Sequence, residues 1–312
     1  MTRLAHVSYV IPQEVAADVA GADPGMLLEP LTSPLYIGLM IATITVVLIG
    51  YHLLTTWKVS VQKIRYFRAK ARTYTELIPW MLRISLGIGF IGAGSGGHLL
   101  SPAIEASTTV ATIEILLGFL LLVGGLLTPT IILAFGLSLG AILIHPELLG
   151  NLEIAAALLA FLILGNAKPG IDDLLGIQLP QPDDRLKMLA PLILRIGIGG
   201  AMMYLAVVEK FLNPHMSAAV VTIFDLQNVI PVSVGMWVLS AGIIEFTVGF
   251  CLAIGFHTRL NAAVAFAVLS TTFFFFGEDV AAHVTLFGVL SVLMITSGGY
   301  GSIDSYLSKR NA

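Results

Sequence analysis

Cysteine is nearly missing from this chain: Cys251 is the one thiol in 312 residues. A lone thiol excludes an intramolecular disulfide and CxxC thiol exchange, and it leaves no CxxCH haem attachment and no cysteine cluster for iron and sulfur. Charge is scarce as well. Charged residues make up 11% and hydrophobic ones 57%, where soluble domains carry roughly 25% charge. The first 34 residues hold four acidic groups and one Arg. They lack the basic start, apolar run and small-residue cleavage site of a signal peptide, which predicts a translocated tail ahead of an uncleaved span. In place of the missing charge, apolar stretches of about 20 residues recur down the chain. The expected fold class is an all-α polytopic membrane protein.

Nine spans are predicted, many with loose boundaries: a leading helix over 35–57, then 77–99, 108–127, 129–145 and 151–167, and then 189–211, 232–257, 260–276 and 280–298. The last eight form two copies of one unit. LIPWMLRISLGIG from Leu77 returns as LAPLILRIGIGGA from Leu189, which places Pro79 over Pro191 and Arg83 over Arg195. Ile113 to Pro129 matches Ile244 to Arg259, with Glu114 over Glu245 and, after a one-residue slip, Thr128 over Thr258. Gly170-Ile171-Asp172 matches Ser302-Ile303-Asp304. The predicted organisation is an extracytoplasmic tail (1–34), the leading helix (35–57), a basic cytoplasmic loop (58–76), a first four-helix repeat (77–172), a cytoplasmic linker (173–188) and a second repeat (189–307). Even span numbers give the copies one orientation, so they form two parallel bundles related by a pseudo-twofold axis along the membrane normal.

Charge sets the predicted topology. The 58–76 loop carries six Lys or Arg and belongs inside under the positive-inside rule. Threading from it puts the N-terminus outside and the C-terminus in the cytoplasm. Of the 16 basic residues, 14 then lie on the inner side, with Arg3 and Lys210 as the exceptions.

Ionisable residues inside apolar sequence are the candidate site. At about 1.5 Å per residue, Lys210, Glu245 and His283 lie roughly 20 to 22 Å from the inner face. In the first repeat His98, Glu114, His145 and Glu153 lie about 18 to 24 Å up, in a core about 30 Å thick. Two readings stand. In one, Lys210 pairs with Glu209 or Glu245, His283 bonds a backbone carbonyl, and the contacts lock helices together. In the other, the groups line a pocket that hydrogen-bonds a carbonyl-bearing ligand or passes protons. Arg83 and Arg195 begin helices at the inner boundary, where snorkelling to headgroups is the ordinary expectation. Asp172 and Asp304 are expected to end helices in water. Gly92 and Gly96 form a GxxxG pair suited to close helix packing. No strand precedes it, so it is not a dinucleotide loop. Bis-His haem would need His98 and His145 to face each other, a pair not repeated in the second copy, where Lys210 and Gly277 stand. His98, Glu114 and Glu153 could ligate a metal, but no metal motif marks them.

The residues LRIGIGGAMMYLAVVEKFLNP, EFTVGFCLAIGFHTR and GGYGSID of the second repeat resemble the DoxX/DoxD family of four-helix membrane proteins. The first repeat is a looser copy, with GHLLSP where the Lys is expected and GLLTP in place of the T-R turn. The resemblance covers about 77–307. It implies a compact bundle per repeat and, in some members, a membrane subunit of thiosulfate:quinone oxidoreductase or of another redox assembly. It carries family polar positions onto Arg195, Lys210, Glu245, Arg259 and His283. His98 in place of Lys suggests one working and one structural bundle.

The leading expectation is therefore a redox subunit whose outer pocket holds a quinone. Lys210 and His283 donate to its carbonyls and Glu245 handles the proton, while His98 and Glu114 are the matching cofactor-side candidates of the first copy. With no haem, flavin or iron-sulfur motif, such a chain needs a partner electron carrier. The alternative is a non-enzymatic scaffold or anchor subunit that docks through the leading helix, the basic loop and the outer segment 213–231. There Met216, Val220, Ile223 and Phe224 are spaced for an amphipathic interfacial helix. A solute transporter would want broken helices or a midplane site, whereas the prolines here fall at helix ends. Expected partners are membrane lipid and another protein subunit, with no nucleic acid.

Overall fold

The computed structural model describes residues 6–11, 15, 25–56, 58–165, 168–177, 182–278 and 280–310. Their main helices, in chain order, are α1 (Gly25–Thr32), α2 (Pro34–Thr56), α3 (Lys58–Arg72), α4 (Ile78–Ser95), α5 (Thr108–Val123), α6 (Leu127–Ile144), α7 (Leu152–Leu164), α8 (Ala190–Leu205), α9 (Pro214–Ile223), α10 (Val234–Ile254), α11 (Thr258–Phe276), α12 (Val280–Thr296) and α13 (Ile303–Arg310). A small antiparallel hairpin, β1 (His98–Leu99) with β2 (Ser101–Glu105), follows α4. The protein is an all-α polytopic membrane fold apart from this hairpin.

Among the described residues six helical runs are long and apolar enough to cross a bilayer, or seven if the bent pair α1–α2 counts as one. The other two predicted spans are α5 and α12, of 16 and 17 residues, which fall just under that length. The leading span turns by 80° at its break. Pro34 explains this, because proline lacks an N–H and disfavours helix in the residue before it. Outside it, α2 presents Ile44, Val46, Val47, Leu48 and Ile49 on every side, as a helix wetted by lipid does. The basic 58–76 segment is mostly the helix α3.

Local sequence explains the helix boundaries. Pro79 and Pro191 stand in the first turns of α4 and α8, where a missing N–H costs nothing. Ser107 and Ser233 cap α5 and α10 by accepting from Val110 and Met236.

The packing interlocks the two repeats. α4 packs on α5 and on α12; α8 packs on α10 and on α7. The centre is thus a four-helix bundle of α4, α7, α8 and α12, with α5–α6 flanking one side and α10–α11 the other. Small residues let the backbones meet. A Cβ added to Gly197 would lie 2.1 Å from Ala156 Cβ, and one added to Gly288 would lie 2.4 Å from Ser85 Oγ. In the register that places Asp172 on Asp304, Ala156 falls on Gly288, and the helix-one register places Ser85 on Gly197. Each interface therefore carries one glycine, on opposite partners. Of the GxxxG pair, Gly92 meets Ala281 of α12, whereas Gly96 caps the end of α4.

The segment 213–231, predicted to lie outside, is folded onto the bundle. Met216 and Ala219 of α9 are covered by Val7, in the short 3-10 turn His6–Tyr9, and by Ile11 just after it. Leu27 of α1 packs with Ala218 and Val221.

Candidate functional site

The two ends of the bundle are built differently, and the end predicted to face inward is the repeated one. Arg83 is 3% exposed and Arg195 fully buried. Arg83 donates to Pro169 O and Leu122 O, and Arg195 to Ala253 O and Tyr300 O. The expected snorkelling is thus corrected: each guanidinium ties the last carbonyls of α5 or α10 to the chain that closes its repeat. Gly124 and Gly255 stand in the left-handed region at φ 68° and 70°. A Cβ there would press Nη1 of Arg83 or Arg195 at 2.9 or 2.1 Å, so glycine is required twice over. Asp172 accepts from the N–H groups of Leu126 and Leu127, and Asp304 from those of His257 and Thr258. These aspartates cap α6 and α11 and do not end helices in water. The pairing also places Leu127, not Thr128, on Thr258. Arg259 donates to Met294 O and Ile295 O and so caps α12. The inner polar set is architectural.

The opposite half, predicted to face outward, holds the candidate site. α8 does not end as an α-helix: Ala206–Leu212 is a π turn. Such turns arise from one extra residue and re-aim side chains, often at functional sites. Here the turn carries Glu209 inward, to 1% exposure, and points Lys210 at α10. Lys210 Nζ lies 2.8 Å from Glu245 Oε2 and 3.3 Å from Glu209 Oε2. Lys210 and Glu245 are thus brought together as their depth implies. Glu209, which the sequence offers only as an alternative partner, completes the cluster. Its other oxygen accepts the N–H of Val7 at 3.1 Å.

His283 belongs to an adjoining cluster. It is 3% exposed, and its Nε2 lies 2.8 Å from Glu278 Oε2. Tyr9 stacks edge-on against its ring, with centroids 5.5 Å apart. The Tyr9 hydroxyl lies 2.6 Å from Ser101 Oγ and within 3.3 Å of the Asn151 amide. Burial raises the Tyr9 phenol above the ordinary tyrosine range. Tyr9 and Glu278 are site members that sequence reasoning missed. Tyr9 sits in a tail without periodicity, and Glu278 reads as the end of a loop.

The first copy does not repeat the Lys210 cluster. Lys210 and Glu209 correspond to His98 and Gly97, and the chain there turns into the hairpin. Glu114, fully buried, accepts the Leu100 N–H at 2.9 Å, and its second oxygen has no partner among the described residues. Glu153 is 2% exposed, and its Oε2 is likewise without a partner. His145 pairs with Glu147. Among the described residues no three His, Cys, Asp or Glu side chains converge as a metal site.

The arrangement can hold a cation between two carboxylates, present buried acceptors, and keep protons at a fixed depth. No curated protein and no solved structure matches the chain. Residues 190–278 match the DoxX family model, a span that runs from the start of α8 past α11 and contains Arg195, Glu209, Lys210, Glu245, Arg259 and Glu278. The second repeat is thus similar to the DoxX family, and the chain is an integral membrane protein with helices long and apolar enough to cross a bilayer.

Proposed function

We propose that the chain is the membrane subunit of a redox assembly and that its outer polar layer receives a quinone headgroup. The observation that carries this reading is the Lys210 ammonium held by Glu245 and Glu209 on a π turn. An ammonium has three N–H donors, and two carboxylates account for two of them. The layer suits a flat apolar ring with two oxygens, because the Lys210 N–H groups donate to a quinone carbonyl and the buried carboxylates accept from the hydroxyls of the reduced form. When bound, a quinone supplies a carrier for two electrons and two protons. Lys210 orients a carbonyl oxygen. Glu245, the more exposed of its two carboxylates, exchanges the proton. Glu209 keeps the lysine charged, and the His283–Glu278 pair holds a proton at the second cluster. Electrons come from a partner protein, since the chain carries no redox motif. The N-terminus is outside and the C-terminus cytoplasmic in this reading, as the inner-side basic residues require.

Quinone-linked turnover of the purified assembly tests it. Lys210→Ala and Glu245→Gln are expected to lower turnover by two orders of magnitude or more, the scale of a lost acid–base or oxyanion-type contact. Unchanged turnover in both variants overturns the role assignment.

A second reading, a scaffold subunit, is favoured by one observation: α2 is exposed along its length and leads into the basic helix α3. Gentle isolation from native membranes as a partner-free chain would count against it.

A further inference from the structure

Tyr9 is a ring with a hydroxyl, gripped by both repeats at once. In the register that aligns the ends of α7 and α12, Asn151 and His283 occupy the same position. The Tyr9 hydroxyl meets Asn151, and its ring meets His283. The phenol therefore touches two equivalent side chains, one from each copy. Ser101 Oγ completes the hydroxyl's cradle at 2.6 Å.

We propose that this cradle is an aromatic binding site, that Tyr9 is its built-in occupant, and that a quinone or phenol ring enters by displacing the N-terminal turn. The quinone half rests on the function proposed above; the ring site does not. Three further observations support it. Glu153 Oε2, two residues on from Asn151, is buried without a hydrogen-bond partner among the described residues. It is an acceptor that Tyr9 does not use and that takes a hydroxyl donor, as a phenol or a hydroquinone carries. The turn is held by Val7 and Ile11 on Met216 and Ala219, by the Val7 N–H on Glu209 and by Tyr9 itself, so loss of the Tyr9 ring loosens the segment that closes the site. Finally, that N–H bond joins the turn to the Lys210 cluster, so withdrawal uncovers Glu209 and vacates the ring site together. An internal occupant lowers apparent ligand affinity by the fraction of time the site is open.

The test uses the full chain in nanodiscs, in wild-type, Tyr9→Ala and Tyr9→Ala/Asn151→Leu forms. The first probe is p-cresol, the Tyr9 side chain as a free molecule, read as a saturable rise in Tm. The expected result is a rise in Tyr9→Ala alone; no rise in that variant, or the same rise in all three, overturns the site. The second probe is tetramethyl-1,4-benzoquinone. It should bind Tyr9→Ala at least about tenfold tighter than wild type, the loss of an occupant that keeps the site closed nine-tenths of the time. Equal affinity for the two forms overturns displacement and leaves the quinone function standing. Binding of p-cresol without any quinone binding supports the ring site and overturns the quinone function. Should Tyr9→Ala not fold, Tyr9→Phe keeps the ring and drops the hydroxyl bond. Quinone affinity should then rise about fivefold, and no change overturns the proposal.

Discussion

At the scale of the residue, Lys210 decides whether two buried carboxylates are tolerable. Glu209 is almost fully buried and Glu245 largely so, and both face the same ammonium. Removing one member of a buried ion cluster costs more than removing the whole, because it strands uncompensated charge. Lys210→Met should therefore destabilise the protein by about 3–5 kcal/mol in a denaturant titration. The triple variant with Glu209→Gln and Glu245→Gln should recover most of that loss; a triple variant as unstable as the single one would show that the lysine acts through packing alone. At the other face, Asp304 holds two N–H groups, and Asp304→Asn should cost about 1.5–3 kcal/mol by the same titration, with Asp172→Asn costing a similar amount in the first repeat. Much of this was legible beforehand. Equal depth along two helices implies the Lys210–Glu245 pair, because a rise per residue is all that pairing needs. Arg195 was not legible, because its partners, Ala253 and Tyr300, come from chain segments that only the closed fold brings together.

At the scale of the element, the π turn converts a continuous helix into a site. Helical periodicity predicts α8 as a span but is blind to one extra residue near its end, since apolar neighbours on all sides hide the shift in phase. Deleting Val207 should return Ala206–Leu212 to α geometry and rotate Glu209 and Lys210 by about 100° relative to the helix before them. Lys210→Cys and Gly242→Cys, placed in a Cys251→Ala background, should then lose a disulfide that the π turn permits, because a Cβ at 242 lies 3.0 Å from Lys210 Cβ. Retention of the cross-link after the deletion would mean that the turn does not aim Lys210. The glycines at the helix crossings make a second element-scale case. Gly197→Ala puts a Cβ onto Ala156 and should destabilise the α7–α8 contact, while Ala156→Gly in the same chain should relieve it. The swap recreates the Ser85–Gly288 polarity of the other interface. A thermal-melt double-mutant cycle should show coupling of about 0.5–3 kcal/mol in the relieving direction.

At the scale of the whole molecule, the repeat is plain in the sequence but the way the copies combine is not. Matching motifs describe two units in series and lead naturally to two separate bundles side by side. The central bundle is instead drawn from both copies, α4 and α7 from the first and α8 and α12 from the second, and each first helix packs more closely on the other copy's fourth helix than on its own. The reason lies in side-chain size: the small residues Gly197, Ala156, Ser85 and Gly288 face across the copies, and in lipid it is close packing of small residues, not apolarity, that selects a helix partner. The two halves should consequently be poor bundles alone and good ones together. Chains cut within the linker, 1–177 and 182–312, are expected to be degraded or aggregated when expressed singly. Expressed together, they should co-purify through a tag on either one and melt within a few degrees of the intact protein. A tagged 182–312 chain that is monodisperse and cooperatively folded by itself would show that the second repeat closes its own bundle. The outer site would make the same distinction, because Tyr9, Ser101 and Asn151 arrive on one half and His283, Glu278 and Lys210 on the other. Only the recombined pair can assemble it, so a ring probe that binds the pair and neither half would locate the site at the junction of the two copies.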